Sequence, residues 1–254
     1  MRKLSLSSIV IVIRRNYMSF KKLLKISIFP NLFDPLLFLL AIGFGLSASI
    51  DEVDGIPFFS FVASGLTVAT AMKAATAEVT VNAFIQMRIE KTYHAIAVTP
   101  VNLQDIVIGQ VIWAAIRSVI FGSIFLIICW LFGVLHSWTA IFIPILLFIT
   151  GFTFGLMGII FAILAPNRDY LNYYNVLVIQ PMYMFSGTFF PVDNLPTSFQ
   201  RIAWFSPLYH ASNLSRGLSL GNFEHLLGSL VWLLILILIL FYLPIILVHK
   251  KLSS

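Results

Sequence analysis

Six long apolar stretches constrain this chain more than any other feature of its sequence. Each has about 20 residues or more, the length that a helix needs to cross the hydrocarbon core of a bilayer. The composition agrees, because only 10% of the 254 residues carry charge, against about 25% in ordinary soluble domains. So few charges cannot cover a water-facing surface. The predicted spans lie at 31–50, 57–82, 105–131, 138–164, 171–190 and 227–248.

The predicted fold class is therefore an all-α integral membrane protein with six transmembrane helices. We expect a single domain over 1–254, because no Pro-, Gly- or Ser-rich linker divides the chain. The single cysteine, Cys129, lies in an apolar run and has no partner for an intramolecular disulfide, so it indicates nothing about redox compartment.

The segment before the first span is basic and amphipathic. Seven of the sixteen Lys and Arg residues fall within the first 25 positions, which suits an anionic membrane surface better than nucleic acid. Apolar residues recur there at helical spacing, so an amphipathic interfacial helix is predicted over 1–29; a basic tail without specific structure is the alternative. Asn31 and Asp34-Pro35 predict the start of the first spanning helix, with an oxygen side chain as its cap.

Basic residues are distributed unevenly between the two sides of the predicted membrane. Twelve Lys and Arg residues fall on the side of the N-terminus, and only Arg201 and Arg216 fall on the other. Because short cytoplasmic loops carry the excess of Lys and Arg, both termini are predicted to be cytoplasmic. No cleavable signal peptide is expected, since the apolar run 9–13 is too short. The predicted location is the plasma (inner) membrane, with several passes.

Three ionisable residues lie well inside predicted spans and need partners, because each Lys or Arg at a helix centre costs about 2.5–3.5 kcal/mol. Glu78 in the second span and Arg117 in the third are predicted to pair, because the rise per residue and the tilt of side chains place them within reach. Lys73 lies about 140° around the helix from Glu78 and is a poor partner for it. Lys73 either lines a polar path for an anionic substrate or is satisfied by carbonyl groups.

Two connections between spans are candidates for function. The segment 86–100 mixes charged residues with apolar ones and predicts a short helix that a partner could contact; a solvated connector is the alternative. The last outer loop, 191–226, is long, aromatic and rich in proline. It is predicted as an irregular, partly re-entrant segment packed against protein, forming either an exit gate or an aromatic belt that anchors the outer face. Its gate residues are Trp204, Phe205 and Tyr209.

Motifs for several catalytic classes are missing from the sequence. It contains no Gly-x-x-x-x-Gly-Lys-Ser/Thr phosphate loop, so ATP hydrolysis by that machinery is excluded. It contains no His-Glu-x-x-His motif, and its five His residues are scattered, so neither a metal site nor a catalytic triad is predicted.

Taken together, the layout resembles the membrane-spanning permeases of ABC-2 type exporters, which include nodulation-factor, polysaccharide and drug export permeases. The resemblance covers nearly the whole chain and depends on the order and spacing of short motifs. These are Arg14-Arg15-Asn16, Asn31-Leu-Phe-Asp34-Pro35, Gly43-Phe-Gly45, Ala71-Met72, Ala74-Ala75-Thr76, Glu78, Thr99-Pro100, Gly187-Thr-Phe-Phe-Pro191, Asn194-Leu-Pro196, Ser206-Pro207-Leu-Tyr-His210 and Arg216.

The resemblance implies a transport subunit that is not itself an enzyme and binds no cofactor, with ATP and Mg²⁺ held by a separate cytoplasmic ATP-binding cassette subunit. It also implies a second, identical permease copy and membrane lipid as partners, and no nucleic acid. The first, second and fifth spans would line the path, with Lys73, Glu78 and Arg117 as its intramembrane charges. Coupling to the ATPase would use the N-terminal helix and Arg88, Glu90, Lys91, Thr99 and Pro100.

The implied substrate is amphipathic: a lipo-oligosaccharide, polysaccharide or lipid-linked glycan, or otherwise a drug or lipid. Two other functions fit the residues alone. A self-contained secondary transporter or channel could use the intramembrane charges, although no internal repeat stands out. A membrane scaffold without transport is the third. Dependence on an ATP-binding partner separates the first function from both others.

Overall fold

The computed structural model describes residues 4–45, 50, 52–53, 55–97, 101–223 and 226–252. Almost all of them are helical. The helices are α1 (Leu6–Phe38), α2 (Phe58–Ala77), α3 (Thr92–Ala97), α4 (Leu103–Leu131), α5 (Ile143–Leu164), α6 (Tyr170–Tyr174), α7 (Gln180–Phe185), α8 (Thr197–Trp204), α9 (Pro207–Leu220) and α10 (Leu226–Leu252). A two-stranded antiparallel hairpin, β1 (Glu52–Val53) and β2 (Ile56–Pro57), precedes α2.

Four helices are long and apolar enough to cross a membrane: Phe58–Ile89, Leu103–Leu131, Trp138–Leu164 and Leu226–Lys251. With the bent pair Leu6–Leu24 and Ser27–Gly43 counted as one span, the described residues hold five. The first of the four extends α2 through two π-helical turns to Ile89. The all-α membrane class is thus confirmed.

The fifth predicted span, 171–190, is helical over a shorter stretch. Helices α6 and α7 join through π-helical residues 175–179 into sixteen helical residues. At 1.5 Å per residue these cover about 24 Å, less than the roughly 30 Å of a hydrocarbon core. The count of six spans therefore stays a prediction.

Helix α2 is the centre of the bundle and α10 lies at its edge. In the most apolar window, 89% of α2 is buried, whereas 22% of α10 is buried. Glycines allow close contacts between neighbouring segments of the bundle. A Cβ on Gly65 of α2 would lie 2.9 Å from the Cα of Thr188, and a Cβ on Gly151 of α5 would collide with Ser118 of α4.

Helix α1 begins where an amphipathic helix was expected, but it does not end there. Its helical backbone continues to Phe38, but a bend of 91° separates the part Leu6–Leu24 from the part Ser27–Gly43. The prediction that a spanning helix starts at Asn31 or Asp34 is wrong. The side-chain amide of Asn31 donates to the Ser27 carbonyl at 2.8 Å, and the Asp34 carboxylate binds Lys73, so neither side chain caps a helix.

The N-terminal half of α1 packs partly on protein. Val12 and Phe20 are buried, and the Phe20 ring meets the rings of Trp113 and Phe121 of α4 edge to face. Other apolar residues of this half, such as Leu6 and Val10, stay exposed. Its position at the membrane interface stays a prediction.

The outer segment before α10 is helical, which corrects the prediction of an irregular loop. Helix α9 begins at Pro207, where proline is well tolerated because a first-turn N–H has no partner within the helix. It ends at Gly221, whose φ of +82° suits glycine. The Ser215 hydroxyl on α9 donates to the Ser64 carbonyl of α2 at 2.7 Å. This segment is thus held against the bundle; its re-entry into the membrane stays a prediction.

Candidate functional site

The buried ion pair predicted between the second and third spans is present. The Arg117 guanidinium on α4 donates from Nη1 to the Glu78 carboxylate oxygen Oε2 at the end of α2. Both side chains are almost fully buried, with 7% and 5% of their surface exposed. The structure therefore confirms the contact that depth along the two helices predicted, while a role of either residue in transport stays a prediction.

Glu78 is satisfied by more than its arginine. Its Oε1 accepts from the side-chain amide of Gln110 on α4 at 2.9 Å, and its Oε2 accepts from that of Asn82 at 2.7 Å. A buried carboxylate is costly unless it is both paired and hydrogen-bonded. Three donors meet that condition here, so α2 and α4 are joined at one fully coordinated charge.

The hydrogen bonds continue from Gln110 to the N-terminal helix. Asn16 on α1 is buried and donates its side-chain amide to the Gln110 Oε1 at 2.8 Å. Arg15 Nη2 in turn donates to the Asn16 Oδ1 at 2.8 Å and to the side-chain oxygen of Gln86. We call this set the inner polar network: Arg15, Asn16, Glu78, Asn82, Gln86, Gln110 and Arg117.

A cavity of about 310 Å³ lies beside this network. Its wall is polar where Glu78 and Arg117 face it and aromatic where Phe20 and Trp113 do. The Arg117 guanidinium also lies over the Phe20 ring, 5.3 Å from its centroid, which adds a cation–π contact with α1. The N-terminal helix is thus tied to α4 by packing as well as by hydrogen bonds.

Sequence reasoning missed Asn16 and Gln110 as members of a site. Asn16 stood in the Arg14-Arg15-Asn16 motif without a role, and Gln110 is a polar residue inside the otherwise apolar span 105–131. The side-chain amide of Gln110 inside a predicted span was the signal that could have identified the site, because a polar group at that depth needs a hydrogen-bond partner.

Three of the predicted coupling residues, Arg88, Glu90 and Lys91, lie at the C-terminal end of the extended α2, which is the end predicted to be cytoplasmic. Glu90 and Lys91 are exposed, Arg88 is partly buried, and Lys91 has a left-handed backbone with φ of +51°. A bend at Glu90 separates the extended α2 from α3, which supplies the short helix that was predicted. Thr99 and Pro100 lie outside the described residues.

One expectation for this segment is wrong. Tyr93 was expected on a face open to a partner, but it is fully buried while Ile89 is 61% exposed. Burial raises the pKa of the Tyr93 phenol above its ordinary value. The exposed surface here therefore consists of Ile89, Glu90 and Lys91.

Lys73 has a partner that neither sequence interpretation included. Its Nζ lies 2.6 Å from the Asp34 carboxylate on α1, and the Tyr183 ring centroid on α7 is 4.2 Å away. The two charged side chains are 31% and 52% exposed. The suggestion that carbonyls satisfy Lys73 is wrong, and Asp34 was missed because it was assigned to a helix cap.

The three predicted gate residues line three cavities on the predicted outer side, and Trp204 and Phe205 share one of about 400 Å³. Trp204 and Tyr209 line a polar cavity of about 650 Å³ together with His210 and Arg216. Phe205, which is 68% exposed, borders an apolar cavity of about 410 Å³ instead.

His210 and Arg216 in the wall of the polar cavity make contacts with neighbouring helices. His210 Nε2 donates to the Trp204 carbonyl at 2.8 Å, and its ring stacks on Trp232 with centroids 4.4 Å apart. Arg216 donates to the Gly187 carbonyl at 2.7 Å and lies over the Phe61 ring of α2. These contacts tie α9 to α8, α10 and the centre of the bundle.

Known proteins match this chain over most of its length. The model of the ABC-2 type transporter family matches residues 7–220. Nodulation protein J of Rhizobium leguminosarum bv. viciae is 39% identical over 209 residues, which are 82% of this chain and 81% of that protein. Nodulation protein J of Rhizobium meliloti (strain 1021) is 35% identical over 213 residues, 84% of this chain and 81% of that protein.

A more distant relative is the inner membrane transport permease YadH of Escherichia coli (strain K12). It is 23% identical over 216 residues, which are 84% of this chain and 83% of that protein. The region that the family model matches contains the inner polar network, the Lys73–Asp34 pair and most residues that line the polar cavity of about 650 Å³. Helix α10 lies beyond that region.

Proposed function

The chain belongs to the ABC-2 type transporter family, and on that premise we propose that it is the permease subunit of an ATP-binding cassette exporter. Members of this family are transmembrane subunits whose ATPase is carried by a separate subunit. The exported substrate in this proposal is amphipathic: a lipo-oligosaccharide, polysaccharide or lipid-linked glycan, with a drug or lipid as the alternative.

The observation that carries a mechanism is the inner polar network. Its unbroken hydrogen bonds run from Arg15 and Asn16 on α1 through Gln110 on α4 to Glu78 on α2. Because Asn16, Gln110 and Glu78 are each held by a partner on another helix, a displacement of the N-terminal helix would move all three helices. ATP-driven movement of a docked subunit would then reach the spans through this network.

The ATPase subunit docks, in this proposal, on the N-terminal half of α1 and on the exposed surface at Ile89, Glu90 and Lys91. Arg88, Thr99 and Pro100 flank that surface in the sequence. Exposed charges of both signs permit complementary ion pairs with a partner, and these set register more than affinity.

The complete assembly would contain two identical permease copies with both termini cytoplasmic and six spans each. The first, second and fifth spans of each copy would line the path. Trp204, Phe205 and Tyr209 would shape its outer end. Lipid would cover the remaining apolar surface, such as the largely exposed α10.

Affinity purification of the tagged chain from native membranes tests this function first. We expect a soluble ATP-binding subunit at one copy per permease, and ATP turnover in the purified complex. Absence of any nucleotide-binding protein under gentle detergent conditions would contradict the proposal and favour a self-contained secondary transporter.

The docking surface has a sharper test. The triple variant R88A/E90A/K91A should reduce recovery of the ATPase subunit and the coupling of ATP turnover to transport. The control E52A removes an exposed charge of strand β1 on the predicted outer side and should leave both unchanged. Equal coupling in the two variants would reject the assignment.

A further inference from the structure

One face of the central helix is open at mid-span. Between residues 60 and 80 of α2 and its π-helical extension, every residue is buried except Lys73 and Ala77. These two are four residues apart and therefore lie above one another on the same face. Asp34 of α1 and Tyr183 of α7 flank this opening.

The opening lies far from both ends of the helix. Lys73 is fifteen residues from Phe58 and sixteen from Ile89, the limits of the continuous helix, so about 23 Å separate it from either end. A charged group exposed to lipid at that depth is costly, and such groups in membrane proteins face the protein interior or a water-filled cavity. Lys73 and Asp34 are too exposed to be covered by this chain alone.

We propose that the Lys73–Asp34 pair is a binding subsite for the uncharged, hydroxyl-bearing part of an amphiphilic substrate, within an aqueous path that this face lines. The proposal rests on the proposed transport function, because it assigns a substrate class to the path. It goes further in naming the residues that contact the substrate and in excluding an anion as the preferred ligand.

The pair itself indicates this ligand class. One ammonium beside one carboxylate has no net charge, so the subsite does not select an ion by charge. Among the described residues, the contact with Asp34 uses one of three N–H donors of Lys73. The remaining donors and the free lone pairs of the carboxylate match a hydroxyl group, which both donates and accepts.

The surroundings of the pair suit the rest of such a substrate. The Phe38 ring of α1 and the Tyr183 ring of α7 lie 5.7 and 4.2 Å from the Lys73 Nζ, which gives the subsite an aromatic wall. Ala77, one turn further along, has a small side chain and leaves room beside the pair. The subsite is thus polar at its centre and apolar at its edge.

Cysteine accessibility tests the aqueous path. In a chain whose buried native cysteine is replaced, C129A, the variant A77C keeps the ion pair and places a thiol on the open face. We expect a charged, membrane-impermeant thiol reagent to label A77C in native membranes opened to both sides. Two controls should stay unlabelled: A75C, which is buried in the same helix, and L238C, which is exposed on the apolar face of α10.

If A77C stays unlabelled both with and without ATP, protein or lipid covers this face and the proposal is overturned.

A second pair of variants reports the local charges. The thiol of D34C beside Lys73 should react about fivefold faster with an anionic reagent than with a neutral one, and about fivefold slower with a cationic one, because unit charges about 4 Å apart in water interact by about 1 kcal/mol. K73C beside Asp34 should show the reverse preference.

Protection from labelling tests the ligand class. Octyl glucoside below its critical micelle concentration should slow labelling of A77C more than octyl sulfate or octyltrimethylammonium at the same concentration. The protection should disappear in K73M/D34L/A77C. Equal protection by all three amphiphiles, or strongest protection by the sulfate, would overturn the assignment. The labelling and protection measurements do not require the ATPase subunit. If no ATP-binding subunit is recovered with the tagged chain, the proposed transport function is refuted, while the subsite is still tested by labelling.

Discussion

Two ion pairs share the central helix within five residues, and they differ in burial and in hydrogen bonding. The Glu78–Arg117 pair is buried, and its carboxylate accepts from three side chains. The Lys73–Asp34 pair is partly exposed, and in the described residues its hydrogen bond is the one between its two members. A buried carboxylate that three protein donors hold joins helices together, whereas a partly exposed ammonium with unused N–H donors is available to a ligand. The comparison therefore separates a structural lock from a candidate binding site.

The largest expected effect is that of R117M. The variant leaves the Glu78 carboxylate buried without its counterion, which costs about 3–5 kcal/mol. We expect low expression and a clearly lower melting temperature in detergent. The double variant E78Q/R117M keeps an amide for Gln110 and Asn82 but removes both charges, so it should recover most of the stability. A melting temperature for R117M equal to that of the unchanged chain would mean that the pair does not lock α2 to α4.

The next effect in size is that of N16L. It removes the hydrogen bond between Asn16 of α1 and Gln110 of α4 and leaves the buried Gln110 oxygen without its donor, a cost of about 1–3 kcal/mol. The folded fraction should still bind the ATPase subunit, but ATP turnover should no longer drive transport. Measuring both activities in one preparation checks this, with S19A, an exposed position of the same helix, as the matched control. Intact coupling in N16L would show that the network does not transmit movement.

A smaller effect on stability is expected for K73M and D34N. Pairs that water can reach contribute roughly 0–1 kcal/mol, so the melting temperature should change little. Transport should fall nonetheless, because the subsite loses its donors or its charge balance. Thermal unfolding and transport assays on the same variants separate the two quantities. A loss of stability as large as that of R117M would erase the distinction between the two pairs.

The smallest change in stability is expected from exchanging the charges of the exposed pair. K73D/D34K preserves a neutral pair but replaces the ammonium beside the Phe38 and Tyr183 rings with a carboxylate, so its melting temperature should fall only slightly. The equivalent exchange E78R/R117E should be strongly destabilising, because Gln110 and Asn82 then direct their N–H donors at a guanidinium. Similar melting temperatures for the two exchanges would contradict the contrast drawn here.

Much of the fold was accessible from the sequence because the relevant patterns are local. Apolar runs such as 105–131 and 227–248 identify spans by their length, and the apolar periodicity of the N-terminal segment predicts the helix that begins at Leu6. The Glu78–Arg117 contact was also predictable. A charge buried in a span must have a partner, and the constant rise of a helix states how deep each candidate lies.

Other features of the fold could be recognised only in the tertiary structure. Asp34 and Pro35 look like a helix start, yet both lie inside α1, and the Asp34 carboxylate contacts Lys73 of α2 rather than a first-turn N–H. The segment 191–226 looks like an irregular loop, yet most of it is helical because α9 can bury Leu208 and Ala211 against the bundle. Local propensity is a weak preference that tertiary contacts of this size override.

The sequence by itself determined that this protein is a bundle of membrane-spanning helices, that it belongs to a transporter family, and that its intramembrane charges must be paired. The tertiary structure alone decided which partners they have. Asn16 meets Gln110 and Lys73 meets Asp34 across long stretches of chain, and no spacing rule connects such positions. The physical reason is that helical period and rise set the face and depth of a residue, whereas its neighbour depends on how all the helices pack together.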